Sequence, residues 1–286
     1  MPPRSLSRRA FLAAAGGAAV GAAAAGTDAF AWAPRRVEFN RHEVPVPGLP
    51  LRLQGLTIAH LSDIHLYDGI HAAARRSMAL VAEARPDVTV ITGDLVEHQR
   101  QLAELVPFLA ACRGRLATVV TMGNWEIQVG VTPGMLRRAC TAASVTLLYN
   151  ESALVRTGDA TLALIGLDDP RAGIPDPERA LRNVPDDAVQ IWGFHAPGYA
   201  DQLLHRPYRR PPLMLSGHTH GGQIRPPFLP AITPPASGRF IAGWYRDTFA
   251  PLFVSRGIGT SGIRARFRCP PEVGLFTLRP SPPSSP

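Results

Sequence analysis

The chain has 286 residues, of which 45% are hydrophobic and 18% charged. That is ample for a globular core and too polar for a multispan membrane protein. Its formal charge is +8, with arginine as the only basic residue besides histidine, and no dense basic run with interleaved aromatics occurs, so no specific nucleic-acid partner is expected.

From the N-terminus, Ser7-Arg8-Arg9-Ala10-Phe11-Leu12 opens a long Ala/Gly-rich apolar run. A basic start, a weakly apolar middle and a small-residue exit make an export signal. The paired arginines followed by Phe11-Leu12 resemble the twin-arginine (Tat) type, and Ala29-Phe30-Ala31 supplies an A-x-A cleavage site. Residues 1–31 are therefore expected to be a Tat signal peptide recognised by the Tat export machinery. The protein would then be periplasmic, secreted or held at the outer face of the cytoplasmic membrane. The run is nearly long enough to span a bilayer, so an uncleaved anchor is the alternative.

The stretch 37–50 is extended and proline-spaced. Residues 56–61 form a buried strand, 72–84 a helix stopped by Pro86, and 88–92 a β-branched strand. A second helix covers 99–112, a strand 116–122 and a third helix 133–143. This alternation predicts an α/β layer architecture with parallel crossovers. From Val145 onward strands with shorter links dominate, at 146–149, 153–156, 161–167, 189–194, 213–216, 240–245, 252–255 and 273–278, a pattern suited to a second sheet packed on the first. The loop 226–235 is proline-rich, and the tail 279–286 is expected to be disordered. The mature chain 32–278 reads as a single domain. Cys112, Cys140 and Cys269 are too scattered for a zinc knuckle or a disulfide framework.

The metal-capable side chains fall just past the C-terminal ends of apolar strands, where the loops of an open α/β sheet gather. They occur as Asp63-Ile64-His65, Gly93-Asp94, Gly123-Asn124-Trp125-Glu126, Gly193-Phe194-His195 and Gly217-His218-Thr219-His220-Gly221-Gly222. In an extended segment residues two apart point the same way, so Asp63 with His65, and His218 with His220, can each present two ligands to one place.

These blocks, in this order, resemble the calcineurin-like metallophosphoesterases, whose pattern is D-x-H, GD, GNH(D/E), an isolated His and GH-x-H. The resemblance spans residues 57–278. It implies two mixed β-sheets packed as a sandwich flanked by helices, a four-layer αββα fold. It also implies a dinuclear metal site, with Asp63, His65 and His220 on one ion, Asn124, His195 and His218 on the other, and Asp94 bridging. Imidazole and carboxylate ligands without thiolate favour Mn, Fe or Zn. The implied reaction is hydrolysis of a phosphate ester by a metal-bridging hydroxide, with Asp94, Asn124 and His195 as the catalytic set.

One position departs from the pattern. Trp125 stands where the family has a histidine thought to protonate the leaving oxygen, and an indole N–H is no proton donor near neutrality. Phosphodiester or pyrophosphate bonds, with acidic leaving groups, are therefore the expected substrates, on lipid-linked or cell-envelope phosphates with a peripheral membrane contact. The competing expectation is a non-catalytic metal-binding envelope protein that lost turnover with that histidine. Arg225 is a candidate phosphate contact, and His71 and His98 are expected at helix starts.

Overall fold

The computed structural model describes residues 26–281. Two six-stranded sheets stack face to face, and period-2 alternation along their strands sorts the apolar side chains into three cores. The first sheet runs in the order β1 (Glu38–Pro47), β12 (Glu272–Ser281), β2 (Thr57–Leu61), β3 (Val88–Thr92), β4 (Ala117–Thr121), β5 (Thr146–Leu148). The second runs β10 (Gly243–Tyr245), β11 (Leu252–Val254), β9 (Leu213–Ser216), β8 (Val189–Gly193), β7 (Ala160–Gly166), β6 (Glu151–Thr157). Both sheets are mixed: β2 to β5 and β7 to β9 pair in parallel, whereas β12 pairs antiparallel with β2 and β6 pairs antiparallel with β7.

Ile58, Val90, Val119, Leu164, Ile191 and Leu215 fill the space between the sheets. Their strand neighbours Ala59, Ile91 and Val120 face outward against α1 (Ala72–Ala84), α2 (Leu102–Ala111) and α4 (Pro133–Ala142). On the far face of the second sheet, Ile165, Trp192, Met214 and Val254 pack under Phe240 and Phe249 and the short helices α5 (Pro177–Leu181) and α6 (Tyr199–Gln202). The four layers expected from the sequence are thus present. Parallel strands buried on both faces explain the near-continuous apolar runs.

The helix ends follow from local chemistry. His71 caps α1, its side chain accepting from the Ala74 N–H, and the helix closes on Arg85 in the left-handed region just before Pro86. Thr132 caps α4 with Pro133 at the first helical position. His98 precedes a 3-10 turn, Gln99–Gln101, without a side-chain cap, so the predicted helix 99–112 is α-helical only from Leu102.

Two segments differ from expectation. The proline-spaced stretch becomes β1, an edge strand on which Pro45 and Pro47 are tolerated because no outer neighbour needs their missing N–H. The tail expected to be disordered from Arg279 remains in β12 through Ser281, paired with Pro45, Val46 and Pro47; residues 282–286 lie outside the described residues. The expected signal falls partly outside them as well, at 1–25. Ala29-Phe30-Ala31 sits in a helical turn, Asp28–Trp32, whose Ala29 is buried and accepts a hydrogen bond from the Arg266 N–H.

Stacking the sheets brings the C-terminal ends of β2, β3, β4, β8 and β9 to one edge. Gly193, closing β8, lies against Val90 and Thr92 of β3 across the interface, where a Cβ would already be in contact.

Candidate metal centre

Six buried side chains with metal-ligand chemistry converge at that edge. Asp63, His65 and His220 form one group and Asp94, His195 and His218 another, the donor atoms within each lying within 4.8 Å of one another. Asp94 Oδ2 stands between them, 3.5 Å from His65 Nε2 and 3.1 Å from His195 Nε2. Across the groups, His195 Nε2 is 4.0 Å from Asp63 Oδ1. His65 Nε2 and His220 Nε2 face each other at 3.2 Å, as do His218 Nδ1 and His195 Nε2. Asn124 opens the short helix α3 (Asn124–Gln128), where its Oδ1 is buried without a hydrogen-bond partner among the described residues.

Each imidazole is oriented by what lies behind it. His195 Nδ1 donates to the Thr92 carbonyl at 2.7 Å and His218 Nε2 to the Pro235 carbonyl at 2.8 Å. The other nitrogen of each faces the cluster, the arrangement that orients a metal-binding histidine. His65 Nδ1 lies 2.7 Å from Glu97 Oε1, though off the hydrogen-bond direction. Asp63 accepts the His218 N–H with both oxygens, at 3.0 Å each.

The backbone pays for this convergence. Asp63, His65, Asp94, His218 and His220 all lie in the left-handed region, at φ of 51°, 44°, 53°, 70° and 50°. Non-glycine residues seldom adopt it, and such clusters of strain mark functional sites. Glycines are needed where two loops touch. A Cβ on Gly217 would overlap the Ser62 hydroxyl and the Asp63 carboxylate, and one on Gly123 would overlap Asp94.

Glu126 ties the loops together. Its buried carboxylate accepts the N–H groups of Asp94 (2.9 Å), Leu95 (2.6 Å) and Gly123 (2.9 Å). Burial, reinforced by the Asp94 charge, pushes it up to about 7, while these N–H donors oppose the rise. Burial likewise raises Asp63. For Asp94 burial is outweighed by His195 and His65, which hold it well below the usual carboxylate range. His195 is raised well above its ordinary value because Asp94 and Asp63 outweigh its burial. His218 is lowered to about 4 by burial and by His195.

The donor set fits cations. It offers carboxylate, imidazole and amide oxygen, no thiolate, an orphaned acceptor on Asn124 and imidazole nitrogens facing inward, a set suited to metal ions.

A model of the calcineurin-like phosphoesterase family matches residues 56–222. The chain belongs to that family. Among similar metallophosphoesterases, an uncharacterized one from Bacillus subtilis, YkuE, is 30% identical over 287 residues, covering 96% of this chain and 99% of its own. The zebrafish transmembrane protein with metallophosphoesterase domain is 31% identical over 83% of this chain, which spans 56% of that protein's length. The Escherichia coli phosphodiesterase YaeI is 29% identical over 71% of this chain and 74% of its own. The family assignment makes the chain a phosphoesterase hydrolase.

All seven residues expected as ligands in this phosphoesterase, Asp63, His65, Asp94, Asn124, His195, His218 and His220, lie at this edge. Two roles were not legible in the sequence, that of Glu97 behind His65 and the loop-pinning of Glu126, whereas Asp169 ends a strand, where a turn or a contact with the site is readable. Asp169 turns the chain after β7, its Oδ1 accepting the N–H groups of Arg171 and Ala172. Its buried Oδ2 has no hydrogen-bond partner among the described residues, and its charge acts on His195. Arg225 is exposed on the outer rim. A groove of about 640 Å³ lies at the opposite end, beside the amino termini of β8 and β11, remote from this chemistry.

Proposed function

We propose that this phosphoesterase hydrolyses phosphodiester or pyrophosphate bonds with two transition-metal ions, Mn, Fe or Zn. Asp63, His65 and His220 would hold one ion, Asn124, His195 and His218 the other, and Asp94 would be shared. Such ions would supply charge compensation for the phosphoryl oxygens and a nucleophile at neutral pH. The protein contributes position. Thr92 and Pro235 aim two imidazoles, Glu126 fixes the distance between the Asp94 and Asn124 loops, and Asp94, held acidic, is an anion throughout the neutral range.

The observation that carries the choice of bond is Trp125. Its ring stands edge-on to His65, with centroids 5.7 Å apart, and its backbone N–H donates to Asp94 Oδ1 at 2.8 Å. The residue therefore occupies the site while offering no transferable proton. His71, six residues after His65, is committed to the Ile64 carbonyl and the α1 cap. Without a proton donor the leaving oxygen must already be acidic, which suits a pyrophosphate or an activated diester. The name of the relative YaeI, a phosphodiesterase, supports the same choice.

The test is a panel of diesters, monoesters and a pyrophosphate of graded leaving-group acidity, after reconstitution with Mn, Fe and Zn in turn. Rates should fall steeply as the leaving group becomes more basic; a flat dependence, or efficient turnover of alkyl monoesters, overturns the reading. His218→Ala should lose at least about 100-fold in rate and bind less metal. Full metal content with no turnover of any substrate would instead establish the non-catalytic alternative. We also propose Tat export to the envelope, supported by Arg8-Arg9 and the apolar run that follows. Cell fractionation and the mass of the mature N-terminus test it, and a cytoplasmic protein beginning near Met1 would refute it.

A further inference from the structure

The loop 226–235 is anchored directly to the metal centre. The Pro235 carbonyl accepts from His218, and Gly222, two residues past His220, abuts Ala231, which would crowd a Cβ there. Between these anchors the loop turns apolar side chains outward. Phe228 is 105% exposed, Ile232 82% and Leu229 65%, with Ile263 at 57% across an adjoining groove of about 440 Å³. Phe228 is held at φ 68°, a conformation a bulky residue rarely adopts. Pro226, Pro227, Pro230, Pro234 and Pro235 stiffen the loop, so presenting this tip costs little ordering entropy on contact. A patch of this kind on a soluble face marks an interaction surface.

Charge identifies the partner. Arg225 and Arg268 line the groove of about 420 Å³ that holds Phe228 and Leu229, and both are exposed. Neither has a salt bridge among the described residues, whereas neighbouring Arg264 is paired with Asp68. Arginines flanking protruding apolar side chains suit a bilayer whose headgroups are anionic. A second copy of the chain would instead set the same arginines against each other across a two-fold axis. The described chain also enters at this face: the Ala29 carbonyl accepts from Arg266, on the segment joining Ile263 to Arg268, and the sequence before Gly26 is the apolar run. No helix of the described residues is long and apolar enough to cross a membrane.

We propose that this rim, with Phe228, Leu229, Ile232 and Ile263 as the inserting residues and Arg225 and Arg268 as headgroup contacts, docks the protein on an anionic lipid surface with the metal centre facing the headgroup phosphates. The choice of a lipid-linked phosphate as substrate rests on the hydrolase reading; the docking does not.

The test is flotation of the full chain with vesicles of phosphatidylcholine, with and without phosphatidylglycerol. Every variant retains the N-terminal run, so any contribution from it is common to all. Combined Phe228→Ser, Leu229→Ser and Ile232→Ser should lower partitioning at least about tenfold, while leaving melting temperature and turnover of a soluble diester unchanged. Arg225→Gln with Arg268→Gln should lower partitioning onto anionic vesicles by roughly 30-fold and onto neutral vesicles little. Partitioning unchanged in both variants overturns the proposal. So does light scattering that shows a dimer dissociated by the triple serine variant. Loss of vesicle binding is read without any catalytic assay, so failure of docking and failure of the hydrolase reading are separable.

Discussion

Trp125 sits among residues that otherwise follow the family pattern, and its consequence is specific. Replacing it with histidine places an imidazole where the indole now meets His65 edge-on. Trp125→His should raise turnover of esters with basic leaving groups by about 10²–10⁴-fold and change acidic ones little, because proton donation matters only where the leaving oxygen needs it. A uniform change across the leaving-group series would show that the indole acts on packing alone. Glu126 makes the complementary case. Glu126→Gln replaces one carboxylate oxygen with an NH2 group that cannot accept, so either Leu95 or the Asp94 and Gly123 pair loses its acceptor. Denaturant titration should show a loss on the order of 2 kcal/mol, and metal titration should show weaker binding as the two loops separate.

The elements deliver these residues through their ends. Each strand stops where a left-handed residue or a glycine turns the chain, and the side chain just past the turn points into the shared edge. Gly217 is the tightest of these turns, pressed on Ser62 and Asp63 from a different sheet. Gly217→Ala should therefore force β9 away from β2 and separate His218 from the Asp63 carboxylate that accepts its N–H. The expected outcome is loss of one metal equivalent by elemental analysis with strand content by circular dichroism intact. Retention of both equivalents would mean the loops have slack that the structure does not show. Glu97 belongs to this scale as well, for it lies in no ligand block; the bridge between Leu66 and Val96 brings it behind His65.

At the scale of the whole molecule, burying polar groups between sheets sets the acid limit of stability. His60 is fully buried on β2, bonded to the Thr92 hydroxyl at 2.9 Å, and burial pushes it down to about 3 from 6.5. Below about pH 6.5 the unfolded chain takes up a proton that the folded chain refuses, so stability falls with pH from there toward pH 3. From pH 7.5 to 5 this histidine alone accounts for about 2 kcal/mol. Urea midpoints of the wild type should fall more steeply over that interval than those of His60→Gln, which keeps a partner for Thr92 and does not titrate. Parallel slopes would place the acid sensitivity elsewhere. Above pH 7 the two proteins should show no pH-dependent divergence from this source.

The sequence by itself determined the alternation of strands and helices, the order of the candidate ligand blocks and which seven side chains are the candidate donors. Apolar runs and ligand types are local properties, written into consecutive residues such as Val88–Thr92 and His218-Thr219-His220. The edge strand β1 was obscured by Pro45 and Pro47, whose meaning depends on there being no strand beyond them. Only the tertiary structure decided that the β2, β3 and β4 loops of one sheet meet the β8 and β9 loops of the other, that Glu126 joins two of them, and that Phe228 and its neighbours form the outer rim. Those are contacts between residues up to 155 positions apart, as between His65 and His220. Which of the many possible long-range closures forms is set by packing two sheets around one core, and no stretch of neighbouring residues carries that information.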